Sequence, residues 1–495
     1  KLKKNLKIII LFFTIIFVSC EKKDVFVTET TVNDDINFFI WRGLATYYLW
    51  KDEVSDLADD RFSSYNDLYS YFRNYNSPEN VFGSLLYNYG TVDRFSWIVD
   101  DYVALENSFA GINVTNGMEF GLVLYENGSS NVYCYVRYVV PNSDAENKGV
   151  TRGMLFNKVD GVQITVNNYE SLLFDDNTSY SIELADYNDG NPVSNSTTIN
   201  LIKTEIDENP VKISKVFSEG NTKIGYLMYN QFARNYDSNL NEVFANFKSE
   251  SVDELIVDLR YNPGGSTSSA GYLASMITGQ FSGQLFSKEV WNDKIMNAFP
   301  SETFENNFTN EILNKDTNDN VILQENINNL ELNKVYFIVS ASSASASELV
   351  INSLSPYIDV RLVGFKTVGK QVGSITLYDS DNLFRSGENL NPNHKYAMQP
   401  ICLEIKNKDN QNYPDGIIPA TTLPGIELKE DFSNLGVLGE KSDPLLERTI
   451  QYILTGSKTT DKPKNSINAT EIYNSKLANP ASNNMFTDLK FRVAN

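Results

Sequence analysis

From residue 206 to 455, apolar strand-like runs alternate with helix-like runs: "TKIGYLMYNQF", "VDELIVDLRYN", "SSAGYLASMITG", "KVYFIVSA", "SELVINSLSPY" and "DVRLVGF". Such alternation predicts an α/β layer architecture, because helices placed between strands must bury their apolar faces on a common sheet. The Asn-rich residues 287–333 read as an insertion within it. At 495 residues the chain is too long for one ordinary domain, and length alone suggests about three. Residues 33–105 read as a mostly helical unit, with aromatics at helical spacing in "INFFIWRGLATYYLW" and "YNDLYSYFRN". Trp41 and Trp50 fit its core better than a ligand box. A turn-rich stretch near Asn107 leads into a β-rich unit, residues 108–205, where "GMEFGLVLYENGSSNVYCYVRYVV" has the form of a hairpin around Asn-Gly. Residues 456–495 are polar and are expected to be poorly ordered.

The first nineteen residues have the make-up of a targeting segment, with four lysines and then an apolar run from Ile8 to Val18 that is short for a permanent membrane span. Val18-Ser19-Cys20 resembles the end of a bacterial lipoprotein signal, in which Cys20 becomes the lipidated N-terminus. Phe17 is less usual there than Leu, and a plain secretory signal or an anchor helix is the alternative. Residues 20–32 would then be a short tether holding the body at a bacterial membrane, on its periplasmic or outer face.

With 42 Lys and Arg against 63 Asp and Glu, the net charge is −21, and loss of the leader's lysines makes it more negative. Such a surface repels nucleic acid, and no basic stripe offsets it. Cys134 and Cys402 both sit in apolar strand-like runs, which predicts two buried free thiols. Three cysteines and one histidine make no metal-ligand cluster, so no metal or other cofactor is expected.

Three segments carry candidate chemistry. "FIVSASSASASELVINSL", residues 337–354, runs from a strand through five serines into a helix, and Ser345-Ala-Ser-Glu348 also satisfies a capping box. Serine catalysis needs a base, normally histidine. The single histidine, His394, lies in a turn-like polar stretch and reads as a surface loop residue. A lysine can serve if burial lowers its pKa from about 10.4 to near 7, at roughly 4–5 kcal/mol. Lys370, between Gly369 and Gly373 in "VRLVGFKTVGKQVGSITLY", is a candidate, although a solvated loop is the usual place for lysine. The third segment, "ELIVDLRYNPGGST", is a strand, a Gly-Gly turn and a helix, a junction whose backbone N–H groups suit an oxyanion. It lacks the Gly-Lys-Ser/Thr ending of a phosphate loop.

Taken together, Asp258-Leu259-Arg260-x-Asn262-Pro263-Gly264-Gly265, Ser343-Ala344-Ser345-Ala346-Ser347-Glu348 and Thr367-x-Gly369-Lys370 resemble the C-terminal-processing (tail-specific) serine peptidase family. "YPDGIIPATTLPG" and "KSDPLLERTIQYIL" resemble the segments that follow in that family. Residues 108–205 resemble its PDZ domain, on "SDAENKGVTRGMLFNKVDG" and on Glu119-Phe120-Gly121-Leu122, which matches the carboxylate-binding loop. An ordinary β-domain spacer is the alternative for that region. The resemblance implies a multidomain protein with a helical N-terminal domain, a PDZ-like domain and a crotonase-like α/β core.

It also implies that Ser345 is the nucleophile, Lys370 the general base, and the backbone N–H of Ala346 and of Gly264 or Gly265 the oxyanion donors. The activity implied is serine endopeptidase action on unfolded or C-terminally exposed exported proteins, captured by a PDZ-like domain. Better-known members carry Gln four residues after the lysine; here that position is Ser374, which would share the lysine's face, and Ser374 or another group is expected to orient Lys370. That departure keeps open a catalytically weak or inactive peptide-binding lipoprotein of the same fold, and beyond it an envelope scaffold. Asp93-Arg94-Phe95-Ser96-Trp97 also looks like a family feature, with no chemical role read from the sequence.

Overall fold

The computed structural model describes residues 31–175, 177–316, 320–458, 469, 471–479, 481, 484–487 and 491. The expected leader, Cys20 and all but the last two residues of the expected tether lie outside them. Among the described residues no helix is long and apolar enough to cross a membrane.

Helix Val32–Tyr47 opens on a capping box, in which Thr31 Oγ1 accepts from the Asp34 N–H and Asp34 accepts from the Thr31 N–H. Its buried face, Ile36, Phe39, Ile40, Leu44 and Tyr47, follows the helical period. Helices Tyr65–Phe72 and Pro78–Ser84 pack beside it. Their apolar side chains join one cluster with those of the α/β unit, and Trp41 and Trp50 pack against that cluster. Strand Trp97–Val99 pairs with Ala397–Gln399, which anchors the segment just before it, residues 93–96, against the α/β unit. Asn107 lies inside helix Tyr102–Phe109, where a turn was expected; Asp101 caps that helix by accepting from the Val103 and Ala104 N–H groups.

The β-rich unit has its own core, built on Phe120, Leu122, Cys134, Val136 and Phe156. Strands Met118–Leu124 and Val132–Val139 form the expected hairpin, with Gly128 at φ +76° in the turn. The sheet continues through Leu155–Val159, Ser179–Asp186 and Val193–Ile202, all antiparallel. Cys134 and Cys402 are buried free thiols, as expected.

The α/β unit is built on a six-stranded sheet in the order Val211–Glu219, Thr222–Tyr229, Glu254–Asp258, Lys334–Val339, Asp359–Gly364, Gly425–Glu427. The first pair is antiparallel and the remaining strands are parallel. Helices cover the parallel strands, so Tyr336–Val339 and Leu255–Asp258 are buried continuously rather than alternately. In register, Asp258 faces Ile338 and Val339 faces Gly364. The Gly-Gly segment, the serine segment and the lysine segment therefore leave the carboxyl ends of three neighbouring parallel strands, the edge where open α/β sheets bind ligands.

A second sheet runs Gly265–Ser266, Met485–Phe486, Val372–Ser374, Ile401–Lys406, Leu285–Trp291, Glu305–Asn307. Two expectations change here. Part of the expected insertion, from 287 onward, belongs to this sheet, with Lys288 facing Lys406. The tail is not uniformly loose: Glu471–Asn474 adds to the edge of the β-rich sheet, and Met485–Phe486 sits inside the second sheet. Both stretches find unpaired backbone edges to satisfy, which composition alone does not reveal.

Candidate active site

Asp258 and Arg260 form the base of the site. Arg260 is fully buried and pairs with Asp258 at 2.7 Å, Asp443 at 2.9 Å and Glu430 at 3.2 Å. Arg152, from the β-rich unit, pairs with the same Glu430 at 3.0 Å and donates to the Tyr261 hydroxyl at 2.8 Å. Burial raises the Glu430 carboxyl, but the Arg152 and Arg260 guanidiniums and the Tyr261 hydroxyl outweigh it and hold the pKa at about 2. This network fixes the start of the Gly-Gly turn.

Asn262 ties that turn to the serines. Its Nδ2 donates to the Tyr229 carbonyl at 2.8 Å, its Oδ1 accepts from the Gly264 N–H at 2.9 Å, and its carbonyl accepts from the Ala344 N–H and the Ser347 hydroxyl. Gly264 has φ +117°, and a Cβ there would stand 2.5 Å from the Cβ of Ser345 and 2.8 Å from the Asn484 carbonyl oxygen. No other residue fits so close an approach.

The serines separate by contact. The Ser343 hydroxyl donates to the Leu259 carbonyl, that of Ser347 to the Asn262 carbonyl, and Ser342 Oγ accepts from Arg137. Ser345 alone among them has a positive φ, +58° with ψ −117°, immediately before helix Ala346–Leu354. A non-glycine residue in that region is strained, and here the turn from strand to helix imposes it. Ala346 follows as the first helical residue, with its N–H in the turn that lacks helical acceptors.

Glu348 reaches back from the helix. Its Oε2 accepts from the backbone N–H groups of Ser345 at 3.0 Å and Lys370 at 2.8 Å, while Oε1 accepts from the Gly369 N–H and the Thr367 hydroxyl. Lys370 is 2% exposed, and its Nζ lies 4.8 Å from the center of the Phe95 ring. Burial pulls the amine down to about 7; Asp93 and Glu348 oppose the shift, and Arg94 adds to it. The Asp93-Arg94-Phe95 stretch, unassigned from sequence, thus surrounds the lysine.

Ser374 does not hydrogen-bond the amine. Its hydroxyl lies 2.8 Å from Asn484 Oδ1 and also contacts Gln399 Oε1, and Asn484 Oδ1 in turn accepts from Lys370 Nζ at 3.5 Å. Asn484 and Gln399 are the residues that sequence reasoning missed. Gln399, from another strand, accepts through Oε1 from the Ser374 hydroxyl and from Asn484 Nδ2. The Gly265 N–H donates to the Asn484 carbonyl at 2.7 Å. His394 is held elsewhere, with Nε2 3.0 Å from Asp379 and Nδ1 accepting from the Tyr396 N–H.

Glu119, Phe120, Gly121 and Leu122 lie in strand Met118–Leu124, the strand covered by Glu471–Asn474. The Phe120 N–H donates to Ser475 Oγ at 2.9 Å, and that hydroxyl donates to Glu119 at 2.6 Å.

Residues 223–384 match peptidase family S41, and residues 35–97 match the peptidase S41 N-terminal domain. No curated protein matches the sequence. Among solved structures, an S41 protease of Bacteroides fragilis shares 22% identity over 85% of this chain and 97% of its own, with a TM-score of 0.61, and so shares the fold. The photosystem II D1 C-terminal processing protease is 16% identical over 84% of this chain and all of its own, with a TM-score of 0.47. Mature CPAF is 11% identical over 86% and 99%, with a TM-score of 0.45. The strained Ser345 and the buried Lys370 both fall within residues 223–384, so the chain carries a domain of peptidase family S41, a family of serine-type peptidases, together with that family's N-terminal domain.

Proposed function

We propose that the chain is a serine endopeptidase that cuts exported proteins near their carboxyl termini, with Ser345 as nucleophile and Lys370 as general base. The observation that carries this reading is the buried Lys370 amine, lowered to about 7 and tied through Glu348 to the turn that bears Ser345. Neutral at working pH, the amine takes the Ser345 proton as Oγ attacks the peptide carbonyl, then returns it to the leaving nitrogen. Water hydrolyses the resulting ester by the same route in reverse.

The Ala346 N–H and one glycine N–H hold the tetrahedral oxygen, each worth about 3–4 kcal/mol in such sites. Gly265 is favoured over Gly264, because the Gly264 N–H is engaged by Asn262 whereas that of Gly265 already holds a backbone carbonyl. In the structure the Lys370 amine donates to Asn484 Oδ1 at 3.5 Å, an oxygen that the Ser374 hydroxyl shares.

Residues 108–205 act as a PDZ-like capture domain ahead of a crotonase-like core. Strand pairing along Met118–Leu124 supports this, since peptides join such domains by strand addition. Lipidation at Cys20 holds the protein at a bacterial envelope membrane, a reading that rests on the leader's sequence. The test is prolonged incubation with an unfolded protein bearing a free apolar carboxyl terminus, with products read by mass spectrometry. Wild type cuts it and Ser345→Ala does not. Carboxylate-dependent binding with no cutting by either would replace this reading with that of a peptide-binding lipoprotein.

A further inference from the structure

We propose that Glu471–Ala478 and Asn484–Thr487 occupy, in cis, the two ends of the path that an extended peptide takes from the β-rich unit to Ser345, and that this segment must leave before another peptide is cut. The inference rests on the peptidase reading and extends it by assigning the path, its strand directions and its first ligand.

At one end the segment behaves as an added strand. Glu471, Tyr473 and Asn474 face Val123, Leu122 and Gly121 in antiparallel register. The Tyr473 ring packs 5.3 Å from Tyr169 and 5.4 Å from Phe174, at the short helix flanking the groove. Ser475 then takes the Phe120 N–H at the segment read as a carboxylate loop. These contacts are mostly backbone pairing plus one aromatic pocket, the mode by which a sheet edge takes an extended peptide.

At the other end the segment lies in the cleft. Met485 and Phe486 run parallel to Gly265 and Ser266, and Phe486 faces Ser374 on the other side. The Gly265 N–H holds the Asn484 carbonyl at 2.7 Å, and the Thr487 N–H donates to the Ser374 carbonyl. That Asn484 oxygen and the Cβ of Ser345 lie within 2.8 Å of the same point above Gly264. The Asn484 side chain, 1% exposed, covers the Lys370 amine and also donates to Gln399 at 3.2 Å. Between the two ends lies a cavity of about 610 Å³, bordered by Phe120, Phe174, Pro263, Gly264, Ser475 and Phe486.

With the segment in place Ser345 is fully buried. No other protein's peptide bond can reach it. The same hydrogen-bond edges that hold the segment are those a substrate strand would use, so the two compete. The ligand class is an extended peptide with an aromatic side chain at the place of Tyr473 and a short apolar strand at the place of Met485–Phe486.

The test uses the full chain with a site-specific protease sequence inserted after Ser457, cut only after folding. In a Ser345→Ala background, binding of a fluorescein-labelled peptide of residues 471–487 is followed by anisotropy, before and after cutting and exchange. A path occupied in cis predicts that cutting strengthens apparent affinity about tenfold or more. Equal affinity, absence of binding after cutting, or unfolding on release would each overturn the inference by making the segment a permanent part of the fold. Should the insertion prevent folding, Tyr473→Ala with Phe486→Ala in the uncut chain must raise affinity for the same peptide, and no rise overturns it. Turnover with Ser345 restored is a separate arm: release that opens the path without any cutting leaves the inference standing and removes the peptidase reading.

Discussion

The backbone N–H groups of Ser345 and Lys370 donate to the same oxygen, Oε2 of Glu348, at 3.0 and 2.8 Å. A single carboxylate thereby ties the turn that strains the serine to the segment that brings the lysine. The other oxygen holds Gly369 and Thr367, so both lone-pair sets are used. Burial nevertheless leaves the Glu348 carboxyl above its ordinary pKa.

Glu348→Gln turns an amide NH₂ toward one pair of donors and leaves either the Gly369 N–H, or those of both Ser345 and Lys370, without an acceptor. Each orphan costs about 1–3 kcal/mol. Urea unfolding is expected to show a loss of several kcal/mol, and kcat/KM a loss of about a hundredfold or more from the displaced serine and lysine.

Lys370→Met is expected to abolish turnover and to stabilise the fold. The folded-state pKa, about 7, lies below the ordinary lysine value. The folded protein therefore binds fewer protons than the unfolded chain between those values, and stability falls as pH drops from about 10 to about 7, then levels. Removing the amine recovers that penalty, about 4–5 kcal/mol at pH 6 and little near pH 10. Urea titrations of both proteins at the two pH values check it; a destabilised Lys370→Met at pH 6 contradicts it.

Arg94 adds to the downward shift at Lys370 while donating to the Gly369 carbonyl at 3.2 Å. Arg94→Met removes a neighbouring cation, so the lysine pKa rises and the peptidase pH profile moves to higher pH. The profile of a merely structural arginine would lose height without moving.

Glu430, at about 2 in the folded protein, lies below its unfolded value. The sign is that of a depressed carboxyl: its stabilisation, about 3 kcal/mol, is complete above pH 4.5 or so and is lost as pH falls toward 2. Glu430→Gln is expected to flatten this acid limb. At neutral pH it destabilises by roughly 3–5 kcal/mol, because Arg152 and Arg260 lose a shared buried partner. Acid titration followed by near-UV circular dichroism reads both effects.

The segments at 258–265, 340–348 and 367–370 were legible because each follows a buried apolar strand, and parallel strands deliver such segments to one edge. The identity of Ser345 within a run of serines came from motif order, and its positive φ is visible only in three dimensions. Asp93 and Arg94 act on Lys370 through space, which no local pattern reports. Gln399 reaches the Ser374 hydroxyl from a distant strand, a contact that no local pattern reports. Asn484 was hidden by its surroundings: Met485–Phe486 is too short to show a period, and a polar tail reads as solvent-facing until an unpaired sheet edge takes it up.

A lysine that is neutral near pH 7 acting on Ser345 is tested most directly by kcat/KM against pH for wild type and Lys370→Met on one peptide substrate. The wild-type rate is expected to rise through an apparent pKa of about 7, and the variant to show no such rise. A wild-type rate that climbs only above about pH 10, or a profile that Lys370→Met shares, contradicts it.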